Sequence, residues 1–455
     1  MSDPVAQADA NASRAFFVQM LTRDITLEDC ILDLLDNSVD GAWTSLGHVA
    51  PTLDEAVKMD AFRIEIVATP TTFRLSDNCG GMTRSRAENH AFTFGRKSGD
   101  NELGDDYRIG VYGIGMKRAM FKLGEKIRIS STYTNEQGEP EAFCVPIEVP
   151  TWMADKNTDW RFDIYADDPG AHFGVEIEVT DLTKGTKASF ENPSFQENLR
   201  RTIARDYALH LARGLSIELN GEEVEPWQIT LLQGADFEPL RKKWEIEADG
   251  GTVTVELLAG AAALPVDDEG PDEEDTGEQR FGWYVACNGR IVLAADKTAV
   301  SVWALDGFPI WHRQYRGFVG LLLFTSSHTE LLPLTTTKRS VDLSSDIYRQ
   351  CRPEMRAATR AWITYTNARK SDREKAKAAE AAAKPVSIFF VPQRAKISTP
   401  TMPAKTRVST TSIQYHMPTK RIKALAAKFG NVNMPATQVG TKTFEFAYQD
   451  MVGDD

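Results

Sequence analysis

The chain has 455 residues, and its 52 lysines and arginines against 65 aspartates and glutamates give a formal net charge of −13. This length allows two or three domains with buried cores, and the acidic balance argues against a surface coated by nucleic acid, although a local basic patch stays compatible with it. No apolar run approaches the ~20 residues that span a bilayer, and five widely spaced cysteines suit reduced thiols better than a disulfide frame or zinc site.

Helices are predicted near residues 14–22 and 27–46, and the second carries three polar residues at helical spacing. Asp33, Asn37 and Asp40 are four and three positions apart, which places them on one face of a helix. Such a face fits a divalent metal beside a water molecule, because a carboxylate orients and deprotonates the water while the amide oxygen binds Mg²⁺. Taken alone, the trio is more often only a solvated acidic face.

Two strands are predicted at residues 62–68 and 73–76, and the second runs into a turn that suits a planar ligand. Asp77 comes first, and Gly80 and Gly81 precede Met82. Glycines let the backbone approach a flat ring system, and an aspartate accepts a hydrogen bond from an exocyclic amine.

The polar segment 83–108 predicts either a lid over a ligand or an ordinary surface loop. Its Arg96 and Lys97 are candidate phosphate contacts, although such residues are more often solvent-exposed. Glycines then precede an apolar helical pattern that runs to Leu123. Backbone N–H groups ahead of a helix bind phosphates, and the helix N-terminus favours negative charge. The candidate phosphate-binding residues are Gly110, Gly113, Ile114, Gly115, Met116 and Lys117.

Later segments predict a second domain and a tail. Further strands near 126–133, 141–149 and 175–180 complete a first domain of residues 14–186. A second α/β domain, 187–365, has a helix near 194–213 and strands at 215–219, 252–258, 282–293 and 318–324, with a solvated acidic insertion at 267–275.

The end of the chain predicts a spacer and a module of different composition. Residues 366–384 are Ala-rich and mixed in charge, which favours an exposed helix or stiff spacer. The tail, 385–455, has a helix at 419–429 and a strand-like stretch at 443–448. The basic residues of that helix, which are either a solvated face or a contact for a partner or nucleic acid, are Lys420, Arg421, Lys423 and Lys428.

The three motifs, in this order and spacing, resemble those of the GHKL ATPases, which include gyrase B subunits, large heat-shock chaperones, histidine kinases, MutL and MORC proteins. The helix segment 33–40 is similar to E-x-x-x-N-x-x-D, with Asp33 in place of glutamate. The segment 77–81 is similar to D-x-G-x-G, with Cys79 at the first glycine. The lid glycines are similar to G-x-x-G-x-G. The run 113–117 and the later Leu123-Gly124 are most similar to MORC proteins and bacterial relatives.

The resemblance implies an α/β fold: a Bergerat-type α/β sandwich, then a ribosomal-S5-like α/β transducer domain and a small C-terminal module. It implies ATP and Mg²⁺ as cofactors, with Asp33 as the catalytic base and Asn37 as the metal ligand. It also implies that Lys338, in a transducer loop, contacts the γ-phosphate, and that the turn at 287–290 is similar to the N-G-R turn of MutL-type members. The implied nucleotide-binding residues are Asn37, Asp40, Asp77, Gly81, Met82 and the six residues of the lid motif.

By resemblance we expect a slow ATPase that closes or dimerises on ATP and serves a DNA-linked process such as defence against foreign DNA, with a possible partner protein at the tail. The start, 1–4, has no signal-peptide pattern, so a cytoplasmic protein is expected, with no membrane association. Two alternatives stay open, a chaperone-like ATPase acting on proteins and a non-hydrolysing ATP sensor. The sensor is suggested because Asp33 is shorter than glutamate and because the family's Gly-Thr element reads Gly174-Val175 here.

Overall fold

The computed structural model describes residues 13–47, 49–54, 57–93, 107–110, 113–155, 160–234, 236–262, 280–305, 307–402 and 411–453. The chain divides into two compact units, Met1–Pro403 and Ala404–Asp455. Arg96, Lys97 and the predicted acidic insertion lie outside the described residues. Among the helices that are described, none has the length and apolar composition needed to cross a membrane.

An eight-stranded sheet forms the first part of the larger unit. Its strands are β1 Arg63–Ala68, β2 Phe73–Asp77, β3 Gly124–Thr134, β4 Pro140–Glu148, β5 Tyr165–Asp167, β6 Gly174–Leu182, β7 Ser216–Leu219 and β8 Glu222–Glu223. They lie in the order β5-β4-β3-β6-β2-β1-β7-β8. Only the β1–β7 pair is parallel among these pairings. Because β7 and β8 belong to this sheet, it extends past the predicted domain boundary at residue 186.

Helices cover the apolar face of this sheet and carry the site. They are α1 Arg14–Arg23, α2 Leu27–Ser45, α3 Arg84–Arg86, α4 Gly115–Leu123, α5 Val149–Ala154, α6 Lys184–Glu191, α7 Pro193–Asp206 and α8 Ala208–Leu211, with a π-helical turn at Ala87–Ala91. Thr26 caps α2 by accepting a hydrogen bond from the backbone N–H of Asp29. The apolar side of α2, including Ile31, Leu35 and Val39, is fully buried in the core.

A five-stranded sheet forms the second part of the larger unit. Its strands are β10 Leu240–Ala248, β11 Gly251–Ala261, β12 Gly282–Cys287, β13 Arg290–Asp296 and β14 Phe318–Thr325, in the order β10-β11-β14-β12-β13. Both faces are covered, because alternate residues of β14 enter two different cores. One core includes the long helix α9 Asp346–Ala368, and the other includes Leu53 and Leu209 from the first part.

The predicted strand at 282–293 is two strands joined by a tight turn. Asn288 and Gly289 both have positive φ, 44° and 84°, as the central residues of a two-residue hairpin turn require. The apolar pattern alone predicts one continuous strand, because β12 and the start of β13 are both buried, whereas the resemblance predicts the turn at 287–290.

The helix predicted within 366–384 is present, but the prediction that it is an exposed spacer is wrong, because it packs on α9 as part of the larger unit. In α10 Arg373–Ala382, Ala376 and Glu380 are buried one turn apart. The Glu380 carboxylate accepts hydrogen bonds from the Tyr365 hydroxyl at 2.6 Å and from Arg369 at 2.7 Å. The chain then forms β15 Lys384–Ser387, which pairs with β9 Thr230–Gln233.

The smaller unit contains two described helices, α11 Thr419–Lys428 and α12 Ala436–Met451. The predicted strand at 443–448 is wrong, since these residues lie inside α12. Phe444, Phe446 and Tyr448 occupy every second position, which is the spacing expected for one face of a strand. On the helix, Phe444 and Tyr448 instead lie one turn apart and stack with ring centroids 6.5 Å apart.

Candidate functional site

One cleft in the larger unit is lined by all the predicted catalytic, metal-binding and nucleotide-binding residues except Arg96 and Lys97, which lie outside the described residues. α2 contributes Asp33, Asn37 and Asp40, and the second part of the unit contributes Lys338. The end of β2 contributes Asp77, and the turn after it contributes Gly81 and Met82. The start of α4 and the segment before it contribute Gly110, Gly113, Ile114, Gly115, Met116 and Lys117. The three motifs, distant in sequence, therefore meet at one place, and their roles in binding remain predictions.

Asp33 is buried and lies between two cations. One carboxylate oxygen contacts the Arg118 guanidinium at 2.6 and 2.8 Å, and the other contacts the Lys338 ammonium at 3.1 Å. The start of α4 packs directly on this side chain, because a Cβ added to Gly115 would lie 3.1 Å from the Asp33 carboxyl carbon. The predicted base is thus beside a helix N-terminus, where anions are favoured.

Asn37 is the exposed member of the helical trio and faces the open cleft. No group of three or more His, Cys, Asp or Glu side chains that could hold a metal occurs among the described residues. One amide oxygen in a cleft is a fitting donor for Mg²⁺, which commonly takes one or two protein ligands and completes its shell with water and substrate phosphates.

Asp40 holds the backbone at the start of the lid glycines. Its two carboxylate oxygens accept hydrogen bonds from the backbone N–H groups of Ile109 at 2.7 Å and Gly110 at 3.0 Å. Burial raises the pKa of Asp40 to about 6, and the nearby charge of Asp36 raises it further. The hydrogen bonds from Ile109 and Gly110 act in the opposite direction and lower it. The side chain therefore shapes the wall of the cleft rather than pointing a free charge into it.

Asp77 is held in place by three donors. One oxygen accepts from the Ser38 hydroxyl at 2.6 Å, and the other accepts from the backbone N–H groups of Cys79 at 2.9 Å and Val175 at 3.2 Å. Burial raises the pKa of Asp77, while these hydrogen bonds lower it. The Gly174-Val175 element, which stands where the family has Gly-Thr, lies beside Asp77 and contacts it only through the backbone N–H of Val175. The hydroxyl that contacts the carboxylate comes instead from Ser38, which sequence reasoning did not assign.

Gly81, in the turn after Asp77, is required because the turn packs closely on the backbone of β3. Gly81 has a φ of 76°, and a Cβ there would lie 2.0 Å from the carbonyl oxygen of Thr132. The next residue, Met82, exchanges hydrogen bonds with the Ser131 side chain, its N–H donating at 2.7 Å. The turn is thereby fixed against β3 on the cleft wall.

Lys117 lines the cleft but directs its ammonium group at backbone carbonyls. It donates to Ala91 at 3.0 Å and to Thr93 at 2.5 Å, and burial lowers its pKa to about 8. It thus anchors the π-helical turn that lies within the predicted lid segment, 83–108. Its neighbour Arg118, which sequence reasoning missed, is the α4 cation that reaches the predicted base.

Lys338 comes from the second part of the unit and its ammonium is buried against α2. It lies 2.7 Å from an Asp36 oxygen and 3.1 Å from an Asp33 oxygen. Burial lowers its pKa, but Asp36 and Asp33 raise it more, so the net pKa is raised and the side chain is a cation. The predicted order of elements thus brings this lysine to the predicted base.

Asp36 is the centre of a buried ionic group that the motif reasoning did not assign to the site. One oxygen accepts from the Tyr207 hydroxyl at 2.6 Å and from Arg290, and the other contacts Lys338. Burial raises the pKa of Asp36, but Arg290 and Lys338 lower it more strongly, to about 2. The position lies inside the motif segment, yet its partners come from residues 207, 290 and 338, so only the fold reveals them.

Two further contacts join the second part of the unit to the cleft. The Asn288 side chain donates to the backbone carbonyl of Arg108 at 2.9 Å, just before the lid glycines. Arg339 binds Glu28, Asp29 and Asp206. The turn predicted to be similar to N-G-R therefore contacts the lid end of the cleft through Asn288 and α2 through Arg290.

Comparison with known proteins identifies the type of domain that carries this cleft. Residues 25–148 match the family model described as histidine kinase-, DNA gyrase B- and HSP90-like ATPase. Over 237 residues the chain is 25% identical to the ATPase morc-1 of Caenorhabditis elegans, in an alignment that covers 46% of this chain and 27% of that relative. The resemblance to GHKL ATPases and MORC proteins is confirmed, as is the mixed α/β fold with a GHKL ATPase domain followed by further sheets.

Proposed function

We propose that the protein is a Mg²⁺-dependent ATPase that acts as a nucleotide-driven conformational switch. The observation that carries the proposal is the meeting of the predicted base, the predicted phosphate loop and a lysine from the second part of the unit in one cleft. In this proposal Asp77 accepts the adenine amine, the N–H groups at the start of α4 bind the phosphates, and Asn37 holds Mg²⁺. The metal supplies charge neutralisation for the phosphate oxygens.

In the proposed reaction, Asp33 orients and deprotonates the attacking water, and Lys338 stabilises negative charge on the γ-phosphate. Both oxygens of Asp33 are engaged by cations in the present structure. Lys338 must therefore leave Asp33 for the γ-phosphate before Asp33 can accept a proton from water. A nucleotide with a γ-phosphate thus biases the switch towards the reactive arrangement, whereas ADP does not.

The switch is proposed to close two subunits on ATP and to open them after hydrolysis, in the service of a DNA-linked process such as defence against foreign DNA. This part rests on the resemblance to MORC proteins, which the C. elegans relative supports at 25% identity. The smaller unit, with its basic helix α11, is the proposed site for a partner.

A non-hydrolysing ATP sensor is the second candidate. The double pairing of Asp33 with Arg118 and Lys338 favours it, because both carboxylate oxygens are occupied and neither can contact the attacking water until a cation leaves. A sensor would bind ATP and change shape without turnover, so a phosphate-release assay separates the two functions.

The test of hydrolysis is Asp33→Asn, which keeps the size of the side chain and removes the base. We expect the variant to bind ATP in calorimetry and to release phosphate at least about a hundredfold more slowly than the wild type. Asp24→Asn is the matched control, since Asp24 is exposed just before α2 and does not line the cleft. Equal rates for Asp33→Asn and wild type would assign the base elsewhere, and no turnover by wild type would favour the sensor.

A further inference from the structure

The ionic group around Asp36 is buried more deeply than the predicted catalytic pair. Asp36 is fully buried, and the side chains of Arg290 and Tyr207 that contact it are nearly or fully buried as well. Lys338 closes this group from the cleft side, 2.7 Å from Asp36. Burying charged groups is unfavourable unless they are paired and hydrogen-bonded, so each member depends on its partners being in place.

The geometry of Asp36 leaves its carboxylate little freedom. One oxygen is held by the Tyr207 hydroxyl and by Arg290, which leaves the other directed at Lys338. Arg290 is itself oriented by β13 and makes a second ionic contact, 3.8 Å from Asp206. The carboxylate that meets the lysine is therefore fixed by elements of both parts of the unit.

The loop that carries Lys338 is also held on its outer side. The N–H of Lys338 donates to the carbonyl of Thr335 at 2.9 Å, so Lys338, with a φ of 54°, is the last residue of a tight turn. Arg339 binds Glu28, Asp29 and Asp206. The backbone is thus held by Arg339, while the ammonium end of Lys338 is directed by Asp36.

Asp33 and Asp36 contact the same ammonium group but are not equivalent. Asp33 has a second cation, Arg118, and lines the cleft. Asp36 lies deeper and its other oxygen is already committed to Arg290 and Tyr207. Lys338 can consequently exchange Asp33 for an anion in the cleft while it keeps Asp36.

We propose that Asp36 and Arg290 are positioning residues that hold Lys338 at the edge of the nucleotide cleft, so that its ammonium group moves between Asp33 and a phosphate. This inference rests on the proposed function, because Lys338 is its γ-phosphate contact.

The first experiment measures the position of Lys338 without any need for turnover. The full chain is treated with an amine-acetylating reagent, and acetylation of Lys338 is followed by mass spectrometry against the exposed Lys126 as internal reference. In wild type the buried, paired ammonium should react slowly. In Asp36→Asn we expect acetylation of Lys338 to be about tenfold faster, because the pairing that keeps it protonated and buried is weakened.

The second experiment measures hydrolysis and binding in the same variants. Asp36→Asn should lower kcat by about 10–100-fold, the usual cost of misplacing a reacting group by about 1 Å, with ADP affinity unchanged. Because Asp36→Asn leaves Arg290 with a weaker partner, the double variant Asp36→Asn/Arg290→Met removes both charges and should preserve folding. It should show the same fast acetylation and low kcat.

The matched control is the buried pair Arg369–Glu380, which lies in the second part of the unit and does not line the cleft. Arg369→Met/Glu380→Gln should leave the acetylation of Lys338 and kcat as in wild type. Equal acceleration in this control would mean general loosening of the fold and would overturn the proposal.

Two other results would also overturn it. Unchanged acetylation of Lys338 in Asp36→Asn, with kcat lowered or not, would show that Asp36 does not hold the lysine. Faster acetylation with wild-type kcat would show that the contact does not serve the reaction. If wild type itself does not hydrolyse ATP, the proposed function fails. The acetylation measurement still tests whether Asp36 holds Lys338.

Discussion

Asp77 is the side chain on which adenine recognition depends in the proposed mechanism. Its carboxylate already accepts three hydrogen bonds, from Ser38, Cys79 and Val175, and a carboxylate has room for a fourth. Asp77→Ala removes the acceptor for the adenine amine and should cost on the order of 1–3 kcal/mol of ATP binding.

Calorimetry of ATP binding measures that loss, with Asp77→Asn as the comparison. Asparagine fills the same space and retains one acceptor oxygen for the protein donors, so its stability should stay closer to wild type than that of the alanine variant. ATP binding by Asp77→Ala at wild-type strength would show that adenine is recognised elsewhere.

Asp40 gives the site a pH dependence whose sign follows from its surroundings. Burial raises its pKa from 3.8 to about 6. The folded protein therefore holds this proton more tightly than the unfolded chain between about pH 4 and pH 6, and the contribution of Asp40 to stability falls as the pH rises through that window. The fall amounts to about 3 kcal/mol at most, at about 1.4 kcal/mol for each pKa unit.

Asp40→Asn removes this titration, so the two proteins should diverge with pH. We expect the free energy of unfolding of wild type, measured in urea relative to Asp40→Asn, to be lower at about pH 6.5 than at about pH 4.5. A constant difference between the two proteins across this range would mean that Asp40 does not titrate there.

The residue pattern predicted which side of α2 faces the cleft, but not what its acids contact. Helical spacing places Asp33, Asn37 and Asp40 together because that relation is local. Asp40 proved to hold backbone N–H groups, and Lys117 proved to hold backbone carbonyls. Contacts of this kind depend on how distant segments meet, and no local spacing records them.

At the scale of elements, the loop around Lys338 links the two parts of the larger unit. Lys338→Ala should leave the fold intact, because Asp33 keeps Arg118 and Asp36 keeps Arg290 as partners. ADP affinity should be nearly unchanged, since ADP has no γ-phosphate. Dimerisation with a slowly hydrolysed ATP analogue should weaken, because the lysine supplies the free-energy difference between open and closed states.

Size-exclusion chromatography with light scattering measures this effect, and Lys126→Ala on the exposed part of β3 is the control. Full dimerisation of Lys338→Ala would show that Lys338 does not couple the nucleotide to closure. Loss of ADP binding as well would contradict a role confined to the γ-phosphate.

Elements with a clear pattern of apolar residues, whether periodic or a continuous run, were predictable from the sequence, whereas elements that depend on tertiary pairing were not. α2, β1 and β14 followed from their patterns of apolar residues. The two-stranded sheet of β9 and β15 was missed, because each strand has four residues and finds its partner about 150 positions away. The buried Glu380 was missed because its neutralisation by Arg369 is visible only when α9 and α10 are packed together.

At the scale of the whole molecule, the two sheets of the larger unit are joined by ionic contacts as well as by an apolar core. Arg290, Lys338 and Arg339 reach α2 from the second part. On the apolar side, Leu53 and Leu209 from the first part enter the core beneath β14. Side chains from the second part therefore contact the helix that lines the cleft. Such contacts couple a change in the cleft to the second sheet, as a nucleotide-driven switch requires.

The end of the larger unit gives the last prediction, which concerns where the chain can be shortened. The predicted tail began at 385, but β15 pairs with β9, and Ile388 and Val391 are buried in the core beneath the second sheet. The Arg241 guanidinium donates to the carbonyl of Val391 at 2.9 Å, and Arg241 and Arg394 exchange backbone hydrogen bonds. Residues 384–402 thus belong structurally to the larger unit.

Two truncated chains test this assignment by thermal unfolding and phosphate release. A chain of residues 1–402 should unfold and hydrolyse ATP like the full chain, because it retains β15 and the core beneath it. A chain of residues 1–383 should lose about 3 kcal/mol or more, since two buried aliphatic side chains contribute about 1.5–3 kcal/mol each and the β15 pairing is lost as well. Equal stability of the two truncated chains would place the end of the larger unit before β15, where the sequence pattern predicted it.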